Sequence, residues 1–294
     1  MGNRRCHITN EIDYSTMIHI ERGNHKYTYH KGLSENFQKL IKAVKNDWDF
    51  KILISGDGMT RTGKTTLATQ TALYLDYTFN MERVIFRGDK LIEKSLELGK
   101  KYGKGIAIVY DEAKEGLDSK KAMNTYSQRI TDYFSECGWM NQFLIIVLPE
   151  FFDLNKTVAL NQSICLINCY TKHNFQRGYF GFYNRRSKRY LYIKGKKWHD
   201  YSCQKPSFEG TFNKYFPLDI DTYNKLKLEN QRALKQDEAK AEHGYEKRWR
   251  LKVQKIVQMM KEDNSYKPKD LINRIGIERS EAYKLFKKCG ESEI

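Results

Sequence analysis

Apolar runs and the turns between them divide much of this chain into an α/β rhythm. Five short apolar runs read as strands, near 50–54, 84–86, 105–110, 143–148 and 164–169. Between them, spacing of the helical kind predicts helices near 64–75, 89–99, 119–137 and roughly 154–161. Strands and helices in alternation build a mostly parallel sheet with helices on its faces.

Outside that block the pattern changes. Residues 1–47 are polar and basic, with short alternating pieces such as Tyr27-Thr28-Tyr29-His30. They read as an N-terminal extension, with Ser34 placed to cap a helix running to about Asn46. From about 171 to 217, aromatics alternate with turns and bases. Gly178 to Trp198 predicts a β-hairpin, at about 178–198, with its tip at Asn184 to Lys188. Its aromatics either stack on bases or pack the hairpin onto the core. The segment 218–249 is highly charged and reads as a helical linker. Residues 250–294 carry three short apolar-periodic pieces, with Pro268 opening the second and Gly276 turning into the third. That is the outline of a helix-turn-helix, or of a small bundle for protein contacts.

The turn after the first strand brings in chemistry. Gly58-Met59-Thr60-Arg61-Thr62-Gly63-Lys64-Thr65 is a complete GxxxxGKT loop between a predicted strand and a predicted helix. Such a loop cradles phosphates with backbone N–H groups, and the helix N-terminus adds its positive end. The expected nucleotide contacts are Gly58, Met59, Thr60, Arg61, Thr62, Gly63, Lys64, Thr65 and Thr66. Lys64 would reach the β- and γ-phosphates, and Thr65 would place its hydroxyl on Mg²⁺.

A second motif follows. The apolar run Gly105–Tyr110 ends in Asp111-Glu112, 47 residues after Lys64. Asp111 is the expected second support for Mg²⁺, and Glu112 the group that polarises an attacking water. The spacing leaves room for an extra strand between the two motif strands. The expected architecture is therefore a P-loop NTPase with parallel strand order 5-1-4-3-2, spanning 48–217. The expected activity is ATP hydrolysis with Mg²⁺.

Charge and cysteine content narrow the setting. The chain has 294 residues and a net charge of +16, with pI about 9.4. A balance this basic points to a polyanion, first of all nucleic acid. Arg185, Arg186, Lys188 and Arg189 at the hairpin tip, and Arg279, Ser280, Lys284 and Lys287 in the tail, are the candidate DNA contacts. Six scattered cysteines contain no CxxC pair. Cys165 and Cys169 read as small core residues. The histidines near Cys6 match no zinc spacing. Scattered cysteines and the lack of a signal-like segment predict a cytoplasmic protein. The longest apolar run, 143–152, is too short to span a bilayer and is interrupted by Pro149 and Glu150.

Taken in order, these features resemble a known family. They are the phosphate loop, Ile108-Val109-Tyr110-Asp111-Glu112-Ala113, a long polar helix, and the run Phe143 to Asn155 with its Leu148-Pro149 strand end. A final strand, an aromatic segment and a charged helix follow. The order resembles the zonular-occludens-toxin-like P-loop ATPases of viruses and plasmids, distant relatives of the FtsK–HerA translocases and viral packaging ATPases, over about 50–217. The resemblance implies an oligomer, usually a hexameric ring, that moves double-stranded DNA, with nucleotide held between subunits. It carries over Lys64, Thr65, Asp111 and Glu112. It also implies an arginine acting in trans, with Arg129 as the candidate and Arg177, Arg185 and Arg186 as others. The family often ends its fourth strand in a polar sensor such as Gln, whereas here the strand ends Val147-Leu148-Pro149-Glu150. The alternative function is an ATP-gated DNA-binding regulator that assists transposition or replication initiation. A small-molecule kinase is the third reading.

Overall fold

The five apolar runs lie side by side in one sheet, extended by two more strands, of seven among the described residues. The computed structural model describes residues 14–111, 113, 117, 125–172 and 175–236, with single positions 249, 251, 253 and 258. The chain divides into two units, Met1–Leu228 and Glu229–Ile294. The first holds the sheet. In the second, residues 229–236 are helical. The expected helix-turn-helix, with Arg279, Ser280, Lys284 and Lys287, lies outside the described residues, and so does Glu112.

The strands are β1 (Met17–Arg22), β2 (His25–His30), β3 (Phe50–Gly56), β4 (Val84–Ile85), β5 (Ala107–Tyr110), β6 (Phe143–Glu150), β7 (Cys165–Lys172), β8 (Gln176–Tyr183) and β9 (Phe208–Thr211). The large sheet runs β4-β5-β6-β3-β7-β8-β9. The first five in that list pair in parallel, and β8 and β9 add antiparallel. Numbered along the chain, the parallel strands lie in the order 2-3-4-1-5, which read from the other edge is 5-1-4-3-2. All seven residues of β3 are buried, as befits a central strand covered on both faces.

Alternation along the strands sorts side chains to the two faces. Ile52, Ile54, Ala107, Val109, Ile145 and Val147 join one core cluster. Leu53, Ile108, Tyr110, Leu144, Ile146 and Leu148 join the other. The first cluster is covered by α1 (Lys31–Val44) and α2 (Lys64–Leu75). The second is covered by α3 (Leu91–Tyr102), α4 (Thr125–Glu136) and α5 (Arg185–Gly195).

The N-terminal extension is a packed layer. β1 and β2 form an antiparallel hairpin, and with α1 it covers the outer side of α2. Tyr29 stacks on Tyr74 and its hydroxyl lies 2.9 Å from Thr71 Oγ1. This second cover explains why every residue of α2 from Leu67 to Leu75 is buried. Ser34 does not cap α1. His30 does, its Nδ1 accepting from Gly32 N at 3.1 Å, because the chain passes directly from β2 into the helix. Ser34 is buried one turn in, with its Oγ 2.6 Å from Tyr74 OH.

The expected hairpin at 178–198 is corrected. The hairpin is β7–β8, and the segment after it is the helix α5. Asn184 Oδ1 accepts from Arg186 N and Ser187 N at 3.0 and 2.9 Å and so starts that helix. Lys188, Leu191, Tyr192 and Gly195 are its buried face. Their positions i, i+3, i+4 and i+7 follow the helical period, which alternating tyrosines at 190 and 192 disguise. The expected helix at 154–161 is a helical stretch over 156–162 that includes a π turn, Val158–Gln162.

Candidate nucleotide-binding site

The phosphate loop connects β3 to α2, as the GxxxxGKT pattern requires. Gly58, Arg61 and Gly63 have φ of +81°, +61° and +96°, so the loop curls back upon itself. Two of these positions are glycine because a Cβ is strained there. At Gly63 a Cβ would also come within 2.8 Å of the Phe212 ring. Gly63 is the N-cap of α2 and supplies no side-chain cap, and the first turn of the helix holds no acid. Its leading N–H groups are thus left for an anion. Gly58, Met59, Thr60 and Arg61 are exposed on the loop, Thr62 is buried beneath it, and Thr65 and Thr66 are half-buried in the first turn.

Lys64 Nζ donates to Met59 O at 2.9 Å, with Thr62 Oγ1 at 3.4 Å. Burial holds its ammonium below the ordinary lysine range; the charge of Lys227 adds in the same direction, while Cys169, Asp57 and Asp111 oppose it. Thr65 Oγ1 lies 3.5 and 3.4 Å from the two carboxylate oxygens of Asp111. Asp111 sits just past the carboxyl end of β5 and is buried. A hydroxyl and a carboxylate this close, beside a phosphate loop, form an oxygen donor pair suited to hydrated Mg²⁺. Among the described residues no group of three His, Cys, Asp or Glu could hold a metal ion.

Four residues at the site were not singled out from the sequence. Tyr223 OH donates to Asp111 Oδ2, and Lys227 Nζ lies 3.4 Å from the same oxygen. Both lie on a helix, α6, over 220–236. Phe212 covers Gly63, as above. Tyr201 OH lies 2.6 Å from Glu150 Oε1 and 2.9 Å from Gly56 O, and so ties the end of β6 to the start of the loop. Glu150 closes β6, whose Val147-Leu148-Pro149-Glu150 end departs from the resembled pattern. Burial raises its pKa, and a Cβ on Gly58 would be 3.5 Å from its Oε2. The faint signal for Tyr223 and Lys227 is their spacing of four, which sets both on one helix face.

The candidate DNA contacts separate. Arg185, Arg186 and Arg189 are exposed on α5. Lys188 is buried, and its Nζ donates to Ser163 O and, at 2.5 Å, Ser163 Oγ. Burial pushes it down to about 7. It is a core residue and cannot meet a nucleic acid in this fold. Arg129 is exposed on α4 and Arg177 on β8. Cys165 and Cys169 are buried in β7, where burial raises both thiols to about 12. Among the described residues, no helix is long and apolar enough to cross a membrane.

No family model matches the chain, and no curated protein does. Among solved structures it is similar to the genome packaging NTPase B204 from Sulfolobus turreted icosahedral virus 2 in complex with ATP-gammaS. The identity is 17%, over 49% of this chain and 95% of that one, with a TM-score of 0.35. It is also similar to the N-terminal domain of zonular occludens toxin from Neisseria meningitidis. There the identity is 12%, over 60% of this chain and 98% of that one, with a TM-score of 0.38.

Proposed function

We propose that this chain binds ATP with Mg²⁺, hydrolyses it, and uses the cycle to move DNA as an oligomeric translocase of the packaging type. The observation that carries the nucleotide reading is the curled loop Gly58–Gly63, closed by Lys64, with Thr65 and Asp111 in reach of each other. Lys64, which donates to Met59 O here, would turn its ammonium to the β- and γ-phosphates of a bound nucleotide. The N–H groups at the start of α2 hold the phosphate oxygens. Thr65 and Asp111 would hold Mg²⁺, which when bound would offset the charge of the phosphate chain. Glu112, next to Asp111 in the chain, orients the attacking water and takes its proton.

The DNA reading rests on charge. The chain carries +16, and α5 shows Arg185, Arg186, Arg189 and Lys194 on its exposed side. Such residues bind phosphates without regard to sequence. The tail at 250–294 is the candidate reader of sequence. A ring of subunits would bring an exposed arginine, Arg129 first, to a neighbour's nucleotide.

The specific observation that favours the second reading, an ATP-gated DNA-binding regulator, is the hold of Tyr223 and Lys227 on Asp111. It ties nucleotide state to a helix, as a switch requires.

The test is steady-state ATP hydrolysis by the full chain, with and without long double-stranded DNA, beside Lys64→Ala. Strong stimulation by DNA that disappears in Lys64→Ala is the expected result. Hydrolysis indifferent to DNA would select the regulator. No hydrolysis in any condition would sink the enzyme reading.

A further inference from the structure

The segment from 212 to 228 lies across the nucleotide-binding side of the sheet. Phe212 covers Gly63. Gln70, buried on α2, places its Nε2 2.9 Å from Asn213 Oδ1 and 2.7 Å from Tyr215 O. Asp219 Oδ2 then accepts from Thr222 N at 2.8 Å and starts α6. Tyr223 is buried between the rings of Phe86 and Phe216, each 5.3 Å away between centroids. One turn later comes Lys227. Tyr223 and Lys227 converge on one oxygen, Oδ2 of the buried Asp111.

We infer that α6 is a latch: Tyr223 and Lys227 hold Asp111 in competition with the divalent cation, so that binding of Mg²⁺ with nucleotide releases Lys227 from the site. This rests on the nucleotide reading above and adds to it a control element. Asp111 is the carboxylate that would face the cation. An ammonium at its Oδ2 already offsets its charge, in the place a hydrated cation needs. Two cations cannot share that oxygen at close range inside a half-buried cleft without strong mutual repulsion. The Tyr223 hydroxyl holds the carboxylate's direction, while the rings around it anchor the helix. Lys227 is the part able to leave, since its long, flexible side chain is 27% exposed while Asp111 is buried. The aromatic anchor makes the release local rather than a loss of the whole segment. The pair therefore sets how much Mg²⁺ the protein needs before it holds nucleotide.

The test uses the full chain and a fluorescent ATP analogue, titrated with Mg²⁺. Lys227→Met is expected to lower the Mg²⁺ concentration for half-maximal binding about tenfold, the scale of one charge-assisted contact. Lys227→Arg should restore wild-type behaviour. Tyr223→Phe keeps the ring packing and should shift the midpoint the same way by less. Amide exchange over 225–228, the turn that carries Lys227, should rise in the wild type with Mg²⁺ and analogue together, but not with analogue and EDTA, while the turn at Tyr223 keeps its protection. An unchanged midpoint with unchanged exchange overturns the latch. So does weaker binding in Lys227→Met, which would make Lys227 a phosphate contact. If the wild type binds the analogue no better than Lys64→Ala, the nucleotide reading fails and the latch falls with it.

Discussion

Lys188 and Lys64 show how one residue type takes opposite roles. Lys64 is half-buried at a loop that leaves its end near solvent, while Lys188 ends inside the core on Ser163. Its folded pKa, about 7, lies below that of an unfolded lysine, about 10.4. Below about pH 7 the native state carries a buried ammonium and bears its full cost. Above about 10.4 neither state is charged and the cost is gone. The wild type should therefore gain stability relative to Lys188→Met as pH climbs from about 7 to about 10. Thermal melts of both proteins at the two ends check this, and a gap that widens the other way refutes it. At the proposed catalytic base, Glu112→Gln should keep nucleotide binding and lower turnover roughly 10²- to 10⁴-fold, the usual worth of a positioned base. Single-turnover assays beside analogue titration separate the two effects.

Elements follow their caps and periods, and here two of them depart from the sequence-based expectation for definable reasons. The predicted hairpin arm at 185–195 is α5 because Asn184 satisfies two leading N–H groups and residues 188, 191, 192 and 195 share a face. Asn184→Ala should cost about 1 kcal/mol, typical of a lost N-cap. In a domain of this size that lowers the melting point by roughly 2–4 °C, and differential scanning calorimetry reads it directly. No change would mean that packing of Leu191 and Tyr192 alone sets the helix. In the N-terminal extension the sequence showed a helix ending near Asn46 and, before it, only alternation. Its strands and helix are specified by what they cover, since Tyr29 of β2 and Ser34 of α1 meet Thr71 and Tyr74 some 40 residues away.

At the scale of the molecule, the residues proposed to bind nucleotide all belong to the first unit. Gly58 to Thr65, Asp111, Tyr223 and Lys227 all precede residue 229. A chain ending at residue 236 should therefore bind the ATP analogue as the full chain does. It should also lose any preference among DNA sequences while keeping salt-sensitive, non-specific binding through α5. Fluorescence anisotropy with several duplexes at two salt concentrations tests this. Loss of analogue binding on truncation would mean that the second unit completes the site.

The sequence by itself determined the phosphate loop, the carboxylate at the end of β5, and the set of parallel strands that bears them. Each depends on spacing within a few residues: a glycine where φ must be positive, a lysine at the first helical turn, an apolar run long enough for a strand. Only the tertiary structure decided that Lys188 is interior, that the extension cloaks α2, and that Tyr223 reaches Asp111 across 112 residues of chain. A lysine in a basic run reads the same whether its end meets water or Ser163. A tyrosine in a charged helix reads the same until the fold sets it against a carboxylate. Those outcomes are fixed by which surfaces the sheet brings together, and local pattern carries no record of that.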